Sequence, residues 1–166
     1  MVLQAYTFLF ADLVGFTRYT ARHGDERGAE LALSFHARVH ALAAARGCHV
    51  VKTIGDAVMV RSENSEAAFE LARAIIALIG REGFPSVRVG LDTGPAVERD
   101  GDWFGSTVNA ASRVTAAAAA GEVLMTERTR AACAGLSRVA LRERGVHALA
   151  GLPAHTLYGQ ALAARV

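Results

Sequence analysis

The spacing of apolar positions divides the chain into alternating strands and helices. Residues 3–11 read Leu-Gln-Ala-Tyr-Thr-Phe-Leu-Phe-Ala, are rich in β-formers, and predict a buried first strand ending at Asp12. Over residues 25–46, Leu31, Phe35, Val39 and Leu42 recur at helical intervals and Gly47 follows as a stop. Residues 49–53 and 57–61 predict two short strands turned through Ile-Gly-Asp. A second amphipathic helix covers 65–80, with Ala68, Leu71, Ile75 and Ile79 inward, and 87–92 is a further strand. Thr93-Gly-Pro opens a loop, and 97–104 makes a hairpin about Asp100-Gly101. Ser106 caps a third helix that runs to Ala119 with Gly121 as its stop, and short strand and helix elements follow from Glu122.

This order predicts an α+β fold: a ferredoxin-like βαββαβ antiparallel sheet with helices on one face, plus a small C-terminal α/β subdomain. Linkers and repeats are missing, so residues 1–166 read as a single domain. The chain starts a few residues before the first strand and ends shortly after the last, which is expected to leave no room within it for a regulatory domain. In the ferredoxin-like topology the first strand lies beside the middle hairpin. Asp12, at the end of strand one, and Asp56, in the hairpin turn, then meet at one edge of the sheet.

Composition narrows the class. With 166 residues, 52% hydrophobic and 20% charged, the chain can bury a core without disulfides or metal and does not read as disordered. No apolar run approaches the roughly 20 residues that span a bilayer, and residues 1–10 lack the basic flank and cleavage site of a signal peptide. Membrane contact by this chain is not expected, although a parent protein can carry an anchor. Cys48 and Cys133 have neither metal nor redox spacing, which suits a cytoplasmic location. The net charge of +2 and scattered arginines form no basic stripe, so nucleic acid is not an expected partner. Lys52 is the only lysine among 18 basic residues. Lysine is a compact, rotatable donor where arginine is a flat fork, so the count asks what Lys52 does; compositional chance is the plain alternative.

Two constellations carry chemistry. A pair of carboxylates repel unless something positive sits between them, and hard oxygen ligands suit Mg²⁺ or Mn²⁺. Taken singly, Asp12 and Asp56 are ordinary turn residues. Gly15, in the Leu-Val-Gly-Phe-Thr run after Asp12, lets the backbone approach a ligand, and N–H groups near a helix start can hold phosphate. In the second constellation Asn109 and Arg113 lie four apart on a predicted helix and share one face. They can orient a sugar and balance charge on a reacting phosphate. Helix spacing alone fits a polar solvent face equally well.

Three blocks, Phe-Ala-Asp12-Leu-Val-Gly-Phe-Thr, Lys52-Thr-Ile-Gly-Asp56-Ala and Asp102-Trp-Phe-Gly-Ser-Thr-Val-Asn109-Ala-Ala-Ser-Arg113, resemble the signatures of the class III nucleotidyl cyclase catalytic domain, in order and over residues 4–160. The resemblance implies a substrate, ATP, converted to 3′,5′-cyclic AMP and pyrophosphate. It implies that Asp12 and Asp56, with the Leu13 carbonyl, bind two divalent ions, Mg²⁺ or Mn²⁺. Gly15, Phe16 and Thr17 would hold the triphosphate, Lys52 and Asp102 would read the purine, Asn109 would orient the ribose, and Arg113 would stabilise the pentavalent phosphate. Adenine offers a ring-nitrogen acceptor to Lys52 and an amino donor to Asp102. The family's site lies between two catalytic domains, so a chain holding both residue sets is expected to form a homodimer with two shared sites.

One departure stands out. Ala150, in Leu149-Ala150-Gly151-Leu152-Pro153, occupies the place where such domains often carry a phosphate-binding lysine. Arg99, Arg142 and Arg144 are candidates to compensate. The alternatives are a catalytically weak nucleotide-binding signalling module, or a cyclase using GTP or another nucleotide; Lys52 and Asp102 argue against the latter. His36 and His40 read as a surface or half-buried pair rather than a metal site. Trp103 reads as packing beside a turn rather than a base platform, and Met59 and Phe69 read as core.

Overall fold

The computed structural model describes residues 3–78, 84–133, 135, 139–149 and 151–162. The first strand, β1, spans Ala5–Leu13, beginning and ending two residues later than the sequence predicts, so Asp12 lies inside it. Gly15 turns the chain at φ 77° into α1 (Phe16–His23), which the apolar pattern does not reveal because it contains no buried residue. Gly24 (φ 93°) separates it from α2 (Asp25–Ala44). The two helices pack closely: a Cβ on Gly28 would sit 2.5 Å from Thr20 Oγ1. Strands β2 (His49–Ile54) and β3 (Ala57–Ser62) form the expected hairpin. Asn64 then caps α3 (Ser65–Ala77) by accepting from Ala67 N. Ile79 lies outside the described residues.

Strand β4 (Val87–Pro95) continues through the expected Thr93-Gly-Pro loop because it pairs with β1 along its whole length. The predicted hairpin follows as β5 (Val97–Arg99) and β6 (Asp102–Phe104), turned at Asp100 (φ 53°) and Gly101 (φ 80°). Helix α4 (Ser106–Ala117) ends two residues before the predicted boundary, and its N-cap is Gly105 rather than Ser106. Strand β7 (Glu122–Thr126), α5 (Glu127–Ala132), β8 (Arg142–His147) and β9 (His155–Ala161) complete the described chain.

The main sheet has the order β2-β3-β1-β4-β7-β9-β8. Its first four strands are antiparallel neighbours in the ferredoxin-like arrangement. The C-terminal strands extend that same sheet through a parallel β4–β7 pairing, and the β5–β6 hairpin forms a small sheet of its own.

Helices α2 and α3 cover one face, as the ferredoxin-like core predicts, and α4, beyond that core, covers the other. Leu9, Ala11 and Leu13 point to a core shared with Phe35 and Val39 of α2 and with Phe69, Leu71 and Ile75 of α3. Strand alternation sends Phe8 and Phe10 the other way, against Met59 and against Val108 and Ala111 of α4. Further along, Ala110 and Val114 of α4 meet Leu124, Leu149 and Leu157. Helix α4 lies so near the sheet that a Cβ on Gly90 would be 2.3 Å from Thr115 N. The sequence left the side taken by α4 open, because its apolar stripe specifies burial and not which side of the sheet buries it.

Candidate active site

Strand alternation assigns the site a face. Asp12 is two residues beyond Phe10 on β1, so it projects on the α4 side, and its register partner Arg88 on β4 projects with it. Arg88 Nε donates to Asp12 Oδ1 at 2.8 Å and Nη2 to Oδ2 at 3.3 Å, while Nη1 donates to Ala116 O at the end of α4 at 3.0 Å. Asp56, in the β2–β3 turn after Gly55 (φ 58°), accepts from Leu13 N through Oδ2 at 3.0 Å. Antiparallel β1–β3 pairing, with Ala11 opposite Val58, brings the turn to that end of β1, as the sequence anticipates. Burial raises the Asp56 pKa above its ordinary value and the Asp12 charge adds to the rise; the Leu13 N–H and Arg88 act against it.

Arg88 is the site residue that sequence reasoning missed. Its signal is faint: a lone cation between Val87 and Val89 in a strand otherwise read as buried. Only the register shows that it faces Asp12.

Beyond Asp12, Val14 N donates to Ser86 O at 2.6 Å and pins the turn at Gly15. Tyr19 N donates to Gly15 O at 2.9 Å, so the N–H groups of Phe16 and Thr17 open the helix without an acceptor within it. Phe16 packs partly against the core and Thr17 is exposed.

Lys52 reaches the same face through an irregularity. Val50 pairs with Val60, but Lys52 pairs with Met59, so Val51 is one residue too many. Unbroken pairing would place Lys52 opposite Val58, on the α2–α3 side; the bulge moves it to the side of Met59 and Phe10. There Lys52 Nζ donates to Asp102 Oδ2 at 2.6 Å, and Trp103 N donates to Asp102 Oδ1 at 2.8 Å. The lysine bond, then the Trp103 N–H, hold the Asp102 carboxyl below its usual range. Asn109 and Arg113 are both exposed on α4, one turn apart, over the opposite side from its buried Ala110, Ala111 and Val114.

The structure brings together Asp12 with Arg88, Asp56 with Leu13, and Lys52 with Asp102. It leaves Asn109 and Arg113 on an outward surface of the same layer. Of the compensating candidates, Arg144 is engaged with buried Glu122, Nε to Oε1 at 2.7 Å, and Arg99 Nη1 bonds to Glu98 O at 2.8 Å. Arg142 begins β8 and is exposed. Ala150 lies outside the described residues. Trp103 packs against Tyr6 and Phe8, and Met59 and Phe69 are buried, as expected.

The donor set fits small hard cations. Two carboxylates from β1 and the adjoining turn converge beside the Leu13 backbone, and Arg88 offsets part of their charge. Among the described residues no cluster of three or more His, Cys, Asp or Glu side chains forms a closed metal cage, so remaining coordination positions would be left for water or phosphate oxygens.

The α4 side of the mixed sheet thus carries Asp12 with Arg88, the Lys52–Asp102 pair and the helix of Asn109 and Arg113. Residues 2–159 match the family described as the Adenylate and Guanylate cyclase catalytic domain, and the chain belongs to that family. An adenylate cyclase of Streptomyces coelicolor is 43% identical over 117 residues, which cover 70% of this chain and 31% of that protein. A pH-sensitive adenylate cyclase of Mycobacterium tuberculosis is 39% identical over 130 residues, 76% of this chain and 32% of that one. The chain thus spans about a third of the length of these relatives. The solved adenylate/guanylate cyclase/hydrolase from Silicibacter pomeroyi superposes with TM-score 0.86 at 23% identity, covering 96% of this chain and 97% of that one. The adenylyl cyclase CyaB from P. aeruginosa gives 0.82 at 24% identity, covering 97% and 95%. These two share its fold.

Proposed function

We propose that this domain converts ATP to 3′,5′-cyclic AMP and pyrophosphate, as a homodimer in which each site takes residues from both chains. The observation that carries the reading is the gathering of Asp12, Lys52, Asp102 and the Asn109–Arg113 helix on one sheet face. Single-domain organisation over residues 1–166 and a cytoplasmic setting belong to the same proposal. No helix among the described residues is long and apolar enough to cross a membrane.

Asp12, Asp56 and the Leu13 carbonyl would hold the divalent ions, Mg²⁺ or Mn²⁺. Bound there, such ions would lower the pKa of the ribose 3′-hydroxyl and offset charge on the leaving pyrophosphate. The chain's own residues do the rest. The N–H groups at Gly15, Phe16 and Thr17 bind phosphate oxygens, and Arg88 adds a cation beside Asp12. Lys52 donates to the adenine ring nitrogen and Asp102 accepts from its amino group, so their mutual bond is exchanged for bonds to the base. Guanine, with a ring N–H and a carbonyl at those places, would leave both unmatched. Asn109 orients the ribose, and Arg113 offsets charge on the α-phosphate as it becomes five-coordinate. A weak nucleotide-binding module is the second reading, favoured by Ala150 in place of a lysine and by Arg144 being engaged elsewhere.

The test is product formation by the purified chain with ATP or GTP and Mn²⁺ or Mg²⁺, beside Asp12→Ala. Cyclic AMP from ATP alone, abolished in the variant, is the expected result. ATP binding without product at any protein concentration would support the module instead.

A further inference from the structure

Lys52 and Asp102 belong to different sheets. Lys52 is on β2 of the seven-stranded sheet, while Asp102 opens β6 of the separate β5–β6 hairpin; among the described residues no backbone ladder joins the two. The reach of Asp102 toward Lys52 therefore depends on side chains that dock the hairpin. The residue after Asp102 supplies the dock. The Trp103 ring meets Tyr6 edge-on at 4.7 Å and lies 5.8 Å from Phe8, both on β1. Arg61 of β3, opposite Phe8 in register, lies with its guanidinium 4.9 Å from the Trp103 ring centre and 5.0 Å from that of Tyr6. Its side chain is 15% exposed, and its carboxylate partner Glu63 is 3.4 Å away and largely exposed. The aromatic contacts therefore account for more of its fixed position than the ion pair does.

We infer that Arg61 is a positioning residue for base recognition: lying over both the Tyr6 and Trp103 rings, which touch each other, it locks the β5–β6 hairpin to the main sheet and so sets Asp102 against Lys52. Its effect passes through Trp103 to the adjacent carboxylate. Arg61 itself touches no reacting atom. The inference rests on the proposal that Lys52 and Asp102 read the purine, and it extends the specificity apparatus to a residue on the far side of the hairpin.

Trp103 is the only tryptophan in the chain, so its fluorescence reports the dock directly. Arg61→Met removes the cation and keeps the aliphatic bulk; Arg61→Lys keeps the charge. The expected result for R61M is a red-shifted emission more open to acrylamide quenching. With it should come about a fivefold rise in ATP KM, a similar fall in preference for ATP over GTP, little change in kcat, and substantial recovery in R61K. Unchanged emission and unchanged base preference in folded R61M would overturn the inference. Should R61M not fold, Tyr6→Leu removes the opposing ring and is judged by the same readouts. Asp102→Asn, run in parallel, separates this inference from the reading beneath it. Relaxed preference in D102N with intact preference in R61M defeats the dock and leaves the purine assignment standing. Intact preference in D102N defeats the purine assignment, and the dock is then decided by Trp103 emission alone.

Discussion

A carboxylate whose pKa is held down by a lysine gains from that partner above its unfolded pKa and loses the gain as pH falls through its folded one. Asp102 is such a group. Preference for ATP over GTP should accordingly stay flat from about pH 8 down to about pH 5, well above the ordinary carboxylate range. Lys52→Met should raise ATP KM by roughly 10- to 100-fold, the value of a hydrogen bond to a charged group, and initial rates against ATP and GTP measure both effects. Cys133 shifts the opposite way: burial raises its thiol from 9.0 to about 11. A raised thiol stabilises the fold fully below the unfolded value and loses that contribution as pH climbs through the folded one. Urea midpoints should therefore fall between pH 9.0 and about 11, and Cys133→Ala should flatten that slope. Both cysteines are free and buried, so alkylation in the native state should be slow.

At the level of elements, helix α4 is where position and function meet. Its inner side is held by Val108, Ala111 and Val114, and its outer side presents Asn109 and Arg113. Close approach to β4 depends on Gly90, where even one methyl group would strike the Thr115 backbone. Gly90→Ala should cost about 1–3 kcal/mol in chemical denaturation, the usual range for an overpacked core, and should lower kcat by displacing the helix. Unchanged stability would show that α4 has room to move. The β2 bulge is the second such device, since one extra residue, Val51, decides which face Lys52 occupies.

On the scale of the whole molecule, Asn109 and Arg113 project outward, and Ile54, Val97 and Phe104 add exposed apolar surface on β2 and the hairpin. That arrangement suits a second copy completing each site. Asp12→Ala and Asn109→Ala should each be inactive alone, yet mixed in equal amounts should recover about a quarter of the parent rate, since half the dimers are mixed and each holds one whole site. Failure of the mixture to recover would exclude the shared site. Specific activity should also rise with protein concentration and level off only well above the dimer's dissociation constant.

Local chemistry was legible without the fold. The first strand, the β2–β3 and β5–β6 hairpins, the helices around Phe35, Phe69 and Val114, and the meeting of Asp12 with Asp56 follow from periodicity, turn residues and a topology that those elements nearly dictate. The three motif blocks named the candidate residues through their resemblance to a known family, which short contiguous runs make recognisable. Other features depend on pairing between distant segments: Arg88 opposite Asp12, Lys52 turned by a bulge, α4 on the second face, and β7–β9 extending the sheet. Buried Asp92 is a further case, accepting from Thr126 Oγ1 at 2.6 Å and paired with Arg128. Each pairs residues 30 or more positions apart or turns on a one-residue shift in register, and neither leaves a local trace in composition or period. The sequence by itself determined which residues are candidates for the chemistry; tertiary register decided which of them face one another.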